Sequence, residues 1–282
     1  MKTFCVRFDI DTPTCLQEGV PNLLELGSRL GFKSTYFLSV GRAISRTGTV
    51  ARMVSGSRSR EARAAGFSAR TKLGNAGYIK LALLNPPIGR AHPAIVRDIA
   101  ANSELGLHGG RNHDTWQNQS RAWPRAKVEA EVDWALGWLK RQGLSVKGFC
   151  SPGWTQPSDL AEILKARGFL YRADRYSLEA SVGVEELPGF FNLSTNLLGV
   201  PAGVAYLEHK RALNLSDAQI RETFARELDA SGNHAVMYDH PYYAGVHALK
   251  LLGDLVSIAM DRGFNIVTMS SVAEQLARKA SA

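Results

Sequence analysis

Residues 4–11 alternate strictly. Phe4, Val6, Phe8 and Ile10 point one way and Cys5, Arg7, Asp9 and Asp11 the other, which predicts a strand with one apolar face. After Gly19-Val20-Pro21, the leucines 23, 24, 26 and 30 recur at helical spacing up to Gly31, and Pro21 suits a first helical turn. A second strand is predicted over 34–40, so the chain opens β-α-β. The pattern resumes with a helix near 92–102, a short strand at 105–107 and a long helix near 124–142. Val128, Val132, Leu136 and Leu139 form one stripe of that long helix. Further strands are predicted at 146–150, 169–171, 197–200, 234–238 and 264–268, with a helix starting at Pro157-Ser158-Asp159. Ser216 with Gln219, and Ser271 with Glu274, are capping-box pairs that predict helix starts. Such alternation predicts a parallel barrel or a doubly wound sheet, and 282 residues fit one domain over 1–282.

Composition narrows the picture. No apolar run reaches about eighteen residues, so no transmembrane helix is expected. The start runs directly into a strand pattern without a signal-peptide core, and three widely spaced cysteines, Cys5, Cys15 and Cys150, suit a reducing cytoplasm. The formal charge of +8 is concentrated: residues 42–90 hold ten lysines and arginines against one acid, Glu61, leaving the rest of the chain close to neutral. That segment could attract anionic lipid, a phosphate-bearing substrate or nucleic acid. It has few aromatics for base stacking, Phe67 and Tyr78, and no recognition motif appears, so nucleic acid is not the expected partner.

Asp9 and Asp11, two apart, share a face at the carboxyl end of the first strand, where parallel α/β folds place their sites. Two carboxylates so close call for a cation or a raised pKa, unless they are solvated loop residues. Arg7 on the same face reads as their counter-ion. His108 and His113 follow the third strand. Five apart on a helix they would diverge by roughly 140°, but Gly109 and Gly110 predict a loop that can turn both imidazoles inward. One carboxylate with two histidines is a usual catalytic metal set. His240 follows the strand at 234–238 and could protonate a leaving amine, or simply form a turn with Pro241. Ser151-Pro152-Gly153-Trp154 and Asp174 complete the candidates; His92, His209, His234 and His247 read as structural or surface residues.

In this order the residues resemble the polysaccharide-deacetylase (NodB-homology) superfamily. Within it, they are most similar to the subgroup that deformylates 4-deoxy-4-formamido-L-arabinose on undecaprenyl phosphate for lipid A modification. The resemblance rests on Asp9-Ile10-Asp11-Thr12, Glu18-Gly19-Val20-Pro21, Phe37-Leu38-Ser39-Val40-Gly41, a basic insertion, Gly106-Leu107-His108, Trp116-Gln117, Gly153-Trp154, Tyr171 with Asp174, and His240. It implies a distorted (β/α)7 barrel. It also implies one divalent metal, zinc first and cobalt, nickel or manganese next, on Asp11, His108 and His113. Asp9 would be the base and His240 the acid, oriented by Asp174. Trp154 and Pro152 would line the acyl pocket, with Tyr171 at the substrate. A polyprenyl-phosphate-linked amino sugar as substrate gives residues 42–90 a role on the anionic cytoplasmic face of the inner membrane. Three departures stand out: the paired histidines are five apart instead of four, which leaves Asn112 as the alternative to His113; Cys150 replaces the superfamily's third-motif arginine; and residues 177–210, which would help shape the substrate site, match little. The competing readings are a deacetylase of another amino sugar and a non-catalytic glycan- or nucleic-acid-binding protein.

Overall fold

The computed structural model describes residues 2–45, 84–178, 181–199 and 203–280. Most of the basic segment 42–90, including Phe67 and Tyr78, lies outside the described residues, as does Val200. The strands are β1 (Lys2–Ile10), β2 (Thr35–Leu38), β3 (Glu104–His108), β4 (Gly148–Cys150), β5 (Tyr171–Tyr176), β6 (Gly183–Leu187), β7 (Phe190–Thr195), β8 (His234–Asp239) and β9 (Phe264–Ile266). The helices are α1 (Val20–Leu30), α2 (Pro93–Asn102), α3 (His113–Gln119), α4 (Arg125–Arg141), α5 (Leu160–Ala166), α6 (Tyr206–Ala212), α7 (Asp217–Ala230), α8 (Leu249–Asp261) and α9 (Met269–Ala280).

The sheet order is β6-β7-β5-β4-β3-β2-β1-β8, with β9 also on β1. All pairings are parallel except β6 with β7. Beyond β7 the chain runs on along β8: Leu197 bridges Met237, and the Asn196 side chain bonds Val236 N and His234 O. The parallel strands therefore curl into the distorted (β/α)7 barrel expected of the NodB type.

Two apolar clusters show why β1 alternates as it does. Phe4, Val6, Phe8 and Ile10 pack with the helix-facing core, beside Leu23, Val96 and Leu255. Cys5 points the other way, into a barrel interior filled by Phe37, Cys150, Tyr171, Ala173 and Val236. Met269, Val272 and Ala273 of α9 join this inner cluster. Arg7 and Asp9 stand above Cys5 on the same inward face, and period-two geometry carries this polar pair up to the carboxyl rim. β1 is buried on both faces, as a central parallel strand should be.

The capping box at Ser216 and Gln219 forms as predicted. The one at Ser271 does not start its helix. α9 begins at Met269, and Thr268 Oγ1 accepts from Ser271 N at 3.4 Å, so the cap lies three residues earlier. The antiparallel strand β6 escapes the alternation test because half of it is exposed, with two consecutive glutamates. No described helix is long and apolar enough to cross a membrane.

Candidate active site

β1 delivers Arg7 and Asp9 to the rim, with Asp11 just beyond it. Arg7 Nε and Nη2 grip the two Asp9 oxygens at 3.0 and 2.9 Å, and both residues are buried. Burial pushes the Asp9 carboxyl up, but the charge and hydrogen bonds of Arg7, with His108 and His240 nearby, outweigh it and hold Asp9 below its ordinary range. Arg7 is thus the counter-ion the sequence suggests, and the carboxylate it grips is that of Asp9.

β3 ends on His108, also buried. Its Nδ1 lies 3.1 Å from the Cys150 carbonyl and 2.9 Å from Cys150 Sγ, whose thiol donates to Asp9 Oδ1 at 3.6 Å. A carbonyl can only accept, so Nδ1 carries the proton and Nε2 is left bare. Burial pulls His108 down to about 4, opposed by Asp9 and reinforced by His113. The imidazole is therefore neutral at pH 7, the state a metal ligand requires.

His113 opens α3, its ring centroid 5.0 Å from that of His108. The five-residue spacing is absorbed by the two glycines. Gly109 turns at φ +72°, where a Cβ would lie 2.7 Å from Pro152 Cγ, and a Cβ on Gly110 would strike Glu131. Asn112 is the N-cap of α3: its Oδ1 accepts from Thr115 N at 2.8 Å while its Nδ2 donates to Ile44 O at 2.7 Å. Its side chain is spent on structure, and His113 is the residue brought beside His108.

Asp9, His108 and Cys150 each offer a ligand atom within 4.8 Å of the others. All three are satisfied internally, Asp9 by Arg7, the thiol by Asp9 and His108 Nδ1 by the Cys150 carbonyl. A cation there would sit beside the Arg7 guanidinium. Among the described residues no second such group forms: the His113 ring neighbours His108 and Asp11 acts electrostatically on it, but the donor atoms of Asp11, His108 and His113 do not close to the same span.

His240 lies at the opposite wall. Its Nε2 is 3.5 Å from Asp11 Oδ2 and 3.0 Å from the Tyr238 hydroxyl, and its Nδ1 is 2.9 Å from Glu208 Oε1. Glu208, not Asp174, therefore orients His240. Asp174 is bonded by Ser151 N and Oγ at 2.6 and 2.8 Å, and holds the β4–α5 loop instead. Burial raises the Asp174 pKa, against the opposing pull of Arg172 and Ser151. Glu208 sits on α6, in a stretch with no motif of its own. Followed by His209-Lys210-Arg211, it carries no sequence signal that marks it as buried.

Pro152 packs beneath Gly109, and Trp154 covers Arg7 with its ring 4.5 Å from Cζ. Trp154 holds φ +56°, a left-handed conformation costly for a bulky residue, and its Nε1 donates to Gly203 O at 2.9 Å. Tyr171 is misplaced by the sequence reading. It begins β5 at the far end of the barrel, where its hydroxyl donates to Glu104 at 2.7 Å, so it is a floor residue with no access to a substrate at the rim.

No protein-family model matches the chain. Among solved structures, it resembles a protein from Mycobacterium smegmatis named as a polysaccharide deacetylase, over 99% of this chain and 91% of that one, at 17% identity and TM-score 0.63. A chitin deacetylase from Colletotrichum lindemuthianum is matched over 95% and 86%, at 14% identity and TM-score 0.52. A CE4 family pseudoenzyme from Bacillus anthracis is matched over 96% and 65%, at 11% identity and TM-score 0.52. At these identities the likeness establishes the fold. With a pseudoenzyme among the matches, activity has to be argued from the site.

Proposed function

We propose that the chain is a metal-dependent amide hydrolase that removes a short acyl group from an amino sugar. In its finer form the substrate is the N-formyl group of 4-deoxy-4-formamido-L-arabinose on undecaprenyl phosphate. The supporting observation is two braced groups at the rim: Asp9, held anionic by Arg7, and His240, held by Glu208 at Nδ1 and 3.5 Å from Asp11 at Nε2. A divalent ion on Asp11, His108 and His113, zinc or else cobalt, nickel or manganese, would polarise the amide carbonyl and lower the pKa of water. Asp9 takes the proton of the attacking water; its oxygens keep lone pairs beyond the two that Arg7 fills. Glu208 fixes the His240 ring at Nδ1, which leaves Nε2 as the nitrogen able to pass a proton to the departing amine. Trp154 over Arg7 and Pro152 beside Gly109 support a role for both at a small acyl group.

Free amine released from N-formylated and N-acetylated amino-sugar polyprenyl phosphates tests this. Release from the formyl substrate supports the finer reading, and release from the acetyl substrate alone moves the protein to a deacetylase. Release from neither, with zinc, cobalt or manganese supplied, leaves a binding protein. The charge of residues 42–90 supports peripheral docking on the cytoplasmic face of an anionic membrane, and failure to co-sediment with anionic vesicles contradicts that part.

A further inference from the structure

Arg7 does more than neutralise Asp9. Its guanidinium is fully enclosed. Nε and Nη2 hold the carboxylate, while Nη1 donates to the Ala173 carbonyl at 2.6 Å and to Thr195 Oγ1 at 3.2 Å. Three rings surround Cζ: Trp154 at 4.5 Å, Phe37 at 5.1 Å and Tyr238 at 5.2 Å. Phe37 and Tyr238 stand on β2 and β8, on either side of β1, and are fixed by the barrel. Trp154 is different, coming from the short turn after β4. Its left-handed backbone is held by its own N–H bond to Ser151 O at 3.1 Å, by an indole hydrogen bond to Gly203 and by edge contacts with Tyr176 and Tyr238. A planar guanidinium bonded through two nitrogens imposes its plane on the carboxylate. Whatever fixes the guanidinium therefore aims the Asp9 oxygens.

We infer that Trp154, Arg7 and Asp9 form one positioning stack, in which Trp154 sets the plane of Arg7 and Arg7 aims the Asp9 carboxylate. Trp154 is then a positioning residue acting through Arg7, beyond any role as a pocket wall. The catalytic part of this inference rests on the hydrolase reading of Asp9; the geometric part does not.

The test is a double-mutant cycle of Trp154→Ala, Arg7→Lys and the double variant, with kcat and KM for amine release and a crystal structure of each. Arg7→Lys keeps the buried charge but cannot make the two-nitrogen grip, and kcat is expected to fall about 100-fold. Trp154→Ala should lower kcat about 10-fold with little change in KM, and the double variant should match Arg7→Lys alone. Multiplying penalties, or an effect of Trp154→Ala confined to KM, overturns the stack. If the unaltered protein releases no amine, the hydrolase reading fails, and the crystal structures then decide the geometry. A rotated Asp9 carboxylate in both single variants supports the stack, and an unmoved one overturns it.

Discussion

Asp9 and Glu104 lie at opposite ends of the same barrel and meet opposite fates. Glu104, at the start of β3, accepts from Tyr171 Oη at 2.7 Å, Thr35 Oγ1 at 2.8 Å and Ser270 N at 3.0 Å. These donors are all neutral. Burial raises its pKa and the three partners only partly offset this. Asp9 has a guanidinium and its pKa falls. The floor also has space, a cavity of about 540 Å³ lined by Lys33, Glu104, Lys147, Thr268 and Ser270 among others, yet no candidate residue of the rim opens into it. Glu104, half-buried at the edge of that cavity, is held by neutral donors alone. Asp9, held charged beside bare imidazole nitrogen, is equipped for chemistry. Polarity and volume alone do not separate the two ends; the sign of the partner does.

The sharpest break in this contrast is Asp9→Asn. It removes the base and strands the Arg7 charge, so activity should drop at least about 1,000-fold. Stability in denaturant melts should fall by about 3–5 kcal/mol. Acid probes both ends together. His108 at the rim and His234 at the floor are each pulled by burial to about 4. Unfolded, each would take a proton near its ordinary value of 6.5. Their stabilising neutrality is therefore complete above that value and lost as pH falls from there to about 4, at a cost of about 3 kcal/mol each. A pH series of melts on His234→Asn should lose roughly its half of that slope while amine release at pH 7 is kept. An unchanged slope contradicts the assignment.

Glu208→Gln removes the carboxylate at His240 Nδ1 and should lower kcat about 10–50-fold, with a smaller effect from Asp174→Asn. Equal effects would return Asp174 to the catalytic set. At the floor, Glu104→Gln should cost about 1–2 kcal/mol in melts and leave kcat within about twofold. Smallest is Asn112→Ala, which loses the α3 cap for about 1 kcal/mol. Because the same side chain ties Ile44 to the start of α3, metal affinity should weaken with it, as calorimetry would show.

The strand carrying Arg7 and Asp9 was legible because period-two alternation places residues on a face with no long-range information. The rim position of His108 and His240 followed from their places at strand ends. Tyr171 failed for a related reason. Alternation gives the face but not the end, and β5 starts at Tyr171, opposite Gly148 and Phe191, so only Asp174, three residues on, nears the rim. Glu208 was illegible because its partner, His240, is 32 positions away, and only the packing of α6 on β8 joins them. The outcome for Asn112 and His113 depended on a cap and two glycines whose backbone turn has no periodicity to read.

Metal content of the purified protein, measured by elemental analysis beside His108→Ala and His113→Ala, tests the central claim most directly. The account predicts about one divalent ion per chain, lost in both variants together with amine release. Full metal content in His113→Ala, or none in the unaltered protein after zinc, cobalt or manganese is supplied, would contradict it.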